Sequence, residues 1–235
     1  MGSPVVSSPV LIHCKAILFD MDGILISSIA SVERSWTTWA RLRAVDPSLT
    51  RETAHGRRAV ETIGILRPDL DPEDELKVIE EIEVADNEGL TVLPGVLALL
   101  AALPADRWTV VTSATERIAR IRMAAGGIPV PARLVTADRV TRGKPHPEPF
   151  QAGASLLGVS PFDCVVFEDS ASGAEAGRNA GCTVVATTFS HSAESLAAAH
   201  YLVRDLTGIS VALNCGEIAL QFTPLTGNRP QVEEI

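Results

Sequence analysis

Residues 15–23 read Lys-Ala-Ile-Leu-Phe-Asp-Met-Asp-Gly, and no other stretch constrains the fold as strongly. Ile17, Leu18 and Phe19 run without polar interruption into the acidic pair Asp20 and Asp22. An apolar run of this length suits a strand buried on both faces, the habit of parallel sheets. Gly23 lets the chain turn immediately afterwards. The two carboxylates then stand at the strand's carboxyl end, where open α/β sheets bind their ligands. Taken alone, the stretch also reads as a strand that ends in an ordinary Asp-Gly turn, so the rest of the chain has to decide.

From Leu93 onward apolar runs alternate with helical stripes. The spacing predicts a short helix over 94–103, a strand over 108–112, and a helix over 115–125 closed by Gly126 and Gly127. A short strand over 134–136, a proline-rich loop over 142–149 and a helix over 150–157 follow. The apolar run 164–167 ends in Glu168 and Asp169, before a small-residue helix over 171–180 and a strand over 183–187. This rhythm predicts a Rossmann-like, doubly wound parallel sheet with right-handed crossovers. Weak alternation over 209–213 and 218–222 suggests an edge hairpin.

Residues 27–90 have a different character and show no convincing strand. A helix over 27–43 carries Ile29, Val32, Trp36, Trp39 and Leu42 at three-to-four-residue spacing. Its tryptophans read as core, with a pocket wall as the alternative. His55-Gly56-Arg57-Arg58 precedes a second apolar stripe of Val60, Ile63 and Leu66. The acidic stretch 72–87 reads as an amphipathic helix with a solvated face, and Pro72 suits its first turn. The organisation predicted is a catalytic core over 1–26 and 91–235, with a helical domain inserted at 27–90.

A chain of 235 residues, 46% hydrophobic, has enough apolar material for a real core. Its net charge of −9 argues against a nucleic-acid partner or an anionic membrane. A small phosphorylated metabolite remains compatible, because a few local cations and a metal reverse the field inside a pocket. Cys14, Cys164, Cys182 and Cys215 lie far apart without a CxxC pair, the pattern of reduced thiols in a cytoplasmic protein rather than a zinc site. No apolar run has the length of a membrane span. Residues 1–9 lack a signal peptide's basic start and apolar centre, and Val6 stands where a myristoylation signal needs Ser or Thr. They read as a disordered leader, native or appended. Nothing in the sequence sets the oligomeric state; a monomer is compatible with it.

Four predicted strand ends carry polar groups: Asp20 with Asp22, Ser113, Lys144, and Glu168 with Asp169. In a doubly wound sheet such ends converge on one crevice. Three or four carboxylates around one point repel each other and call for a hard cation, most simply magnesium. Lys144 and the Ser113 hydroxyl supply what phosphoryl oxygens need. Asp20 is then free to attack phosphorus, since a metal and Lys144 reduce the repulsion between two anions. Asp22 can give a proton to the leaving oxygen and later take one from water.

Asp-Met-Asp-Gly, Val-Val-Thr-Ser-Ala, Gly-Lys-Pro-His-Pro-Glu-Pro-Phe and Val-Phe-Glu-Asp-Ser-Ala-Ser-Gly, in this order, resemble the four motifs of the haloacid dehalogenase superfamily. The resemblance covers roughly 16–186, and the insert resembles that family's α-helical cap. Within it, the His55 region and the GKPHPEPF string look closest to glycerol-3-phosphate and 2-deoxyglucose-6-phosphate phosphatases, with β-phosphoglucomutase-like proteins as relatives. The resemblance implies that Asp20 is the nucleophile and forms an aspartyl phosphate. It implies that Asp22 is the acid/base and binds magnesium through its backbone carbonyl. Ser113, Lys144 and the backbone at Gly23 and Ala114 would hold the phosphoryl oxygens. Asp169 would bind the metal directly, and Glu168 would either bind it or orient the groups that do. Ile24 departs from the pattern: phosphatases of this type usually have Thr there, and Ile24 has no hydroxyl to fix the turn.

In the cap, His55 and Arg58 are the candidate substrate contacts, with Arg57 a weaker one and His146 structural. The implied function is a magnesium-dependent phosphomonoester hydrolase acting on a small sugar or polyol phosphate. A phosphosugar mutase of the β-phosphoglucomutase kind is the alternative, and a non-catalytic phosphometabolite-binding protein is a third.

Overall fold

The computed structural model describes residues 8–54, 57–214 and 216–225. In chain order, β1 (Val10–Cys14) and β2 (Ala16–Phe19) are followed by the short β3 (Ile26–Ser27). Four helices come next: α1 (Ile29–Leu42), α2 (Pro47–Ala54), α3 (Ala59–Leu66) and α4 (Pro72–Ala85). The chain returns through β4 (Thr91–Val92) and then continues with α5 (Val96–Ala102), β5 (Trp108–Val110) and α6 (Glu116–Ala125). After α7 (Glu148–Leu156) come β6 (Cys164–Glu168), α8 (Ala171–Asn179) and β7 (Thr183–Thr187). The last elements are β8 (Tyr201–Val203), β9 (Ser210–Asn214) and β10 (Glu217–Phe222).

The main sheet is parallel, in the order β5-β2-β6-β7-β8. After β2 the chain builds β5 on one side and later β6 on the other, so strand order reverses at β2. That reversal opens a crevice beyond its carboxyl end. Pleating sends the side chains of the apolar run to opposite faces: Ile17 and Phe19 enter one core cluster, Ala16 and Leu18 the other. On the first face Phe19 stacks on Phe167 at 5.2 Å and meets Trp108 edge-on at 6.0 Å. Full burial of a side chain like Phe19 contributes about 2–3 kcal/mol. Helices α7 and α8 cover the second face, where Leu18, Val166 and Val184 pack.

Three features differ from the sequence expectations. Residues 134–136 make no strand; a single bridge joins Val111 to Val135, with Thr112 N donating to Val135 O and Val135 N to Val110 O, each at 2.9 Å. Pro129 and Pro131, just upstream, have no N–H with which to extend a ladder. The tail hairpin does form, but not on the main sheet: β10 lies between β9 and β1 in a separate three-stranded antiparallel sheet. β1, β8 and α2 are elements that the periodicity did not reveal. Of β1, only Cys14 is buried, so its weak alternation merges into the far stronger signal of β2.

Helices α1–α4 pack around a small core of their own, with Trp36, Trp39, Ile63 and Ile79 at its centre. Trp39 Nε1 donates to Glu75 Oε2 at 2.9 Å, and Arg43 Nε donates to the same oxygen at 2.7 Å. Asp71 caps α4 by accepting from the amides of Glu73 and Asp74, with Pro72 in the first turn. The helical insert leaves and rejoins the core side by side, through the antiparallel pair β3–β4. Among the described residues no helix is long and apolar enough to cross a membrane. Cys14, Cys164 and Cys182 are free and buried; Cys215 lies outside the described residues.

Candidate active site

Asp20 follows β2 directly, and its N–H is tied to Phe167 O of the neighbouring β6 at 2.9 Å. Glu168 ends β6, so parallel pairing alone brings the two carboxylates to one level. Lys144 closes the group from the loop before α7. Its Nζ donates to Asp20 Oδ1 at 2.7 Å, to Glu168 Oε1 at 2.6 Å and to Val111 O at 3.1 Å. The other Glu168 oxygen accepts from Asp169 N, Ser170 N and Ser170 Oγ at 2.8, 2.9 and 3.0 Å. Both Glu168 oxygens are thus engaged in positioning Lys144 and the start of α8. Asp169 is held through its Oδ2 by the Ser190 hydroxyl.

Two glycines make this density possible. At Gly23, φ is +83° and a Cβ would stand 1.8 Å from Asp169 Oδ2. At Gly173, a Cβ would stand 1.7 Å from Glu168 Oε1. Missing the usual threonine, the turn after Asp22 is fixed by backbone instead. Leu25 and Ile26 both donate to Met21 O, at 2.9 and 3.0 Å, and Gly23 N donates to Ile26 O at 2.8 Å. The Ile24 side chain is buried in the core cluster. Apolar packing takes over the anchoring that a hydroxyl would provide.

The buried charges do not balance. Burial pushes the Asp20 carboxyl up to about 7, against the pull of Lys144 and with a further push from Glu168. Burial, and then the charges of Glu168 and Asp20, raise Asp169 well above the usual carboxylate range. Burial also disfavours the Lys144 cation, but Asp20 and Glu168 outweigh it and hold its pKa above the ordinary lysine value. Asp20, Glu168 and Asp169 each offer a carboxylate oxygen, and these oxygens lie within 4.8 Å of one another. Three buried carboxylates facing one lysine are a donor set that fits a hard, oxygen-preferring dication.

Above this floor lies a cavity of about 110 Å³ lined by Asp20, Asp22, Ser113, Ala114, Lys144 and Asp169 from the core, with Gly23 and Glu168 at its base. All the core residues singled out by sequence therefore meet at one place. Helices α1, α3 and α4, the end of α2 and Arg57 just before α3 supply the opposite wall, including Trp36, Glu80 and Glu83. The cap expectations fare differently. Arg58 does not line the cavity. It donates to Glu61 Oε1 at 2.6–2.8 Å and to the carbonyls of Val140 and Thr141 at 2.9 Å, clamping the loop that leads to Lys144. Arg57, the weaker candidate, is the one on the cavity wall. His55 lies outside the described residues. Trp36 belongs both to the cap core and to the cavity wall, so the two readings of that stripe coincide there.

Sequence reasoning missed Arg122, Ser28 and Ser190. Arg122 Nη1 donates to both oxygens of Asp22, at 3.0 and 3.1 Å, and the Ser28 hydroxyl donates to Asp22 Oδ1. A signal for Arg122 existed: it shares a buried stripe of α6 with Ile118, Ala119 and Met123, where a charge is out of place unless it is paired. Ser28 and Ser190 carried no such signal, since isolated serines are common in turns.

A parallel sheet reversing at β2, a helical insert after its first strand and carboxylates flanking a buried lysine define a class of α/β hydrolases. The family model for haloacid dehalogenase-like hydrolases matches residues 14–181, and the chain belongs to that family. It is 41% identical over 182 residues to hexitol phosphatase A of Escherichia coli, an alignment covering 74% of this chain and 83% of the relative. It is 34% identical to glycerol-1-phosphate phosphohydrolase 2 of Saccharomyces cerevisiae, over 78% of this chain and 79% of the relative. The solved β-phosphoglucomutase of Clostridium difficile superposes with a TM-score of 0.70 over 83% of this chain and 92% of that one; at 22% identity this is a likeness of fold.

Proposed function

We propose that this protein is a magnesium-dependent phosphomonoesterase of small sugar or polyol phosphates, with 27–90 acting as a mobile cap. The observation that carries the reading is the Lys144 ammonium, buried between Asp20 and Glu168 at the floor of a cavity that Asp22, Ser113 and Asp169 also line. Similarity to phosphatases named for hexitol and glycerol phosphates supports the substrate class.

In this reading Asp20 attacks phosphorus, and the bond to the substrate's ester oxygen breaks as that oxygen takes a proton from Asp22. Lys144 and Ser113 hold phosphoryl oxygens, and the backbone at Gly23 and Ala114 completes the cradle. Asp22, now a carboxylate, accepts a proton from water as the water displaces Asp20 from phosphorus, which releases phosphate and restores the Asp20 carboxylate and the Asp22 carboxylic acid. Asp20 and Asp169 would hold magnesium, with the Asp22 carbonyl, while Glu168 keeps Lys144 in place. Bound there, the ion would neutralise the crowded carboxylates and draw charge from the phosphoryl oxygens.

The test is a panel of phosphorylated sugars and polyols scored for free phosphate, with magnesium and with chelator. Stoichiometric phosphate without any bisphosphate activator is the expected result. Full activity in chelator would remove the metal from this account. Isomerisation of a hexose 1-phosphate with negligible phosphate release would replace the hydrolase by a mutase.

A further inference from the structure

We propose that Arg122 is a positioning residue for Asp22, and that Glu83 of the cap is the counter-charge that lets Asp22 leave Arg122 for the substrate; this rests on the phosphatase reading above. The Arg122 guanidinium is only 5% exposed and lies on the cavity wall, yet it belongs to a core helix. Nη1 is committed to both Asp22 oxygens. Nη2 is buried and makes no hydrogen bond, although Glu83 Oε1 of α4 stands 3.5 Å away. One guanidinium therefore faces two carboxylates from opposite walls, one fully bonded and the other just short of it.

An arginine keeps its charge in proteins, so burying it requires a carboxylate partner at all times. Asp22 cannot satisfy that need and also turn to the ester oxygen. Glu83 resolves the conflict, because a slight approach of α4 lets it close on the idle Nη2 and neutralise the guanidinium. Asp22, still oriented by Ser28, is then released to serve the substrate. Glu83 travels with the cap, so release of Asp22 coincides with closure of the cavity and exclusion of water. The nearby bond from the Thr115 hydroxyl to Glu80 marks the same face of α4 as the one that docks on α6.

The experiment compares the first turnover of two substrates by rapid quench. Sorbitol phosphate has an alkoxide leaving group that needs a proton, whereas nitrophenolate leaves p-nitrophenyl phosphate without one. Arg122→Met is expected to slow sorbitol release about a hundredfold, the usual size of an acid contribution, and to slow the nitrophenolate burst less than about fivefold. Glu83→Gln is expected to slow sorbitol release about tenfold, with KM within about threefold, because the counter-charge is lost but the shape is kept. Arg122→Lys is expected to recover part of the Arg122→Met loss.

A merely structural role would slow both substrates alike in every variant, and that result would overturn the proposal. An unaltered ratio of the two substrates in Glu83→Gln would overturn it too, even if Arg122→Met failed to fold. Phosphate release by the wild type with uniform losses in the variants would leave the phosphatase reading standing. A wild type that releases no phosphate from any substrate would overturn both.

Discussion

The floor of the cavity and its roof use the same kind of interaction under opposite conditions. At the floor, Lys144 has 2% of its side chain exposed, and each of its contacts is fixed by a sheet strand or by the turn that follows one. Between roof and core, Arg117 of α6 meets Glu81 of α4 with 45% and 68% exposed. Buried pairs of this kind cannot be broken cheaply, whereas exposed ones exchange readily with water. The floor is therefore held in one geometry, whereas the exposed Arg117–Glu81 pair between roof and core stabilises little. Arg122 and Glu83 lie where the two regimes meet, and Arg58 ties the roof to the one floor loop that is not anchored by a strand.

The largest effects are expected at the floor. Asp20→Asn keeps the shape but removes the attacking charge, and turnover should fall by about four orders of magnitude with circular dichroism unchanged. Phosphate release near wild-type levels, or covalent phosphate trapped on another residue, would refute the assignment. Gly173→Ala should come next, since its new Cβ has to displace Glu168 and with it one Lys144 contact. A stability loss of about 3 kcal/mol and an activity loss of about a hundredfold are expected, measured by urea unfolding and initial rates. A neutral Gly173→Ala would mean that the floor is more pliable than described.

The roof should respond more gently. Arg58→Ala removes bonds to the Val140 and Thr141 carbonyls rather than to substrate, so activity should fall a few-fold and by the same factor on every substrate. Arg57→Ala, on the cavity wall, should instead change the ranking of sugar and polyol phosphates. Reversed outcomes would return Arg58 to the substrate and make Arg57 a structural residue.

The smallest effect is expected far from both, at the sheet edge. Burial, together with the nearby Arg178 charge, holds His200 below the usual imidazole range. Its Nδ1 accepts from Val184 N at 3.0 Å, a bond that needs the neutral ring. Below about pH 6.5 the unfolded chain binds more protons at this residue than the folded one, so stability falls as pH falls. Above that pH the contribution is complete. Urea midpoints of His200→Gln should be flatter over this window than those of the wild type, and parallel slopes would refute the account.

Much of the core was legible because its signals are local. The apolar runs 16–19 and 164–168, each ending in acids, announce buried strands and their ligand ends within a few residues. Gly23 announces the turn after the acids just as locally, whereas the close approach of carboxylates to Gly23 and Gly173 appears only in the fold. The small strands β1 and β8 were not legible: β8 is only three residues long, and β1 buries only Cys14 and is completed by a partner far away in the sequence. β1 pairs with β10 from Val10–Phe222 to Cys14–Ile218, a match that no local window contains.

Periodicity and strand-end chemistry are properties of short segments, so the doubly wound sheet, the helical insert and the set Asp20, Asp22, Ser113, Lys144, Glu168 and Asp169 can be read from the chain alone. Which arginine faces the cavity and which clamps a loop is set by the folded packing, because Arg57 and Arg58 are neighbours whose directions depend on where α3 docks. Only that packing could place Arg122 between Asp22 and Glu83, residues 100 and 39 positions away in the chain. A buried charge is defined by the partners that surround it, and those partners meet only once the fold has closed.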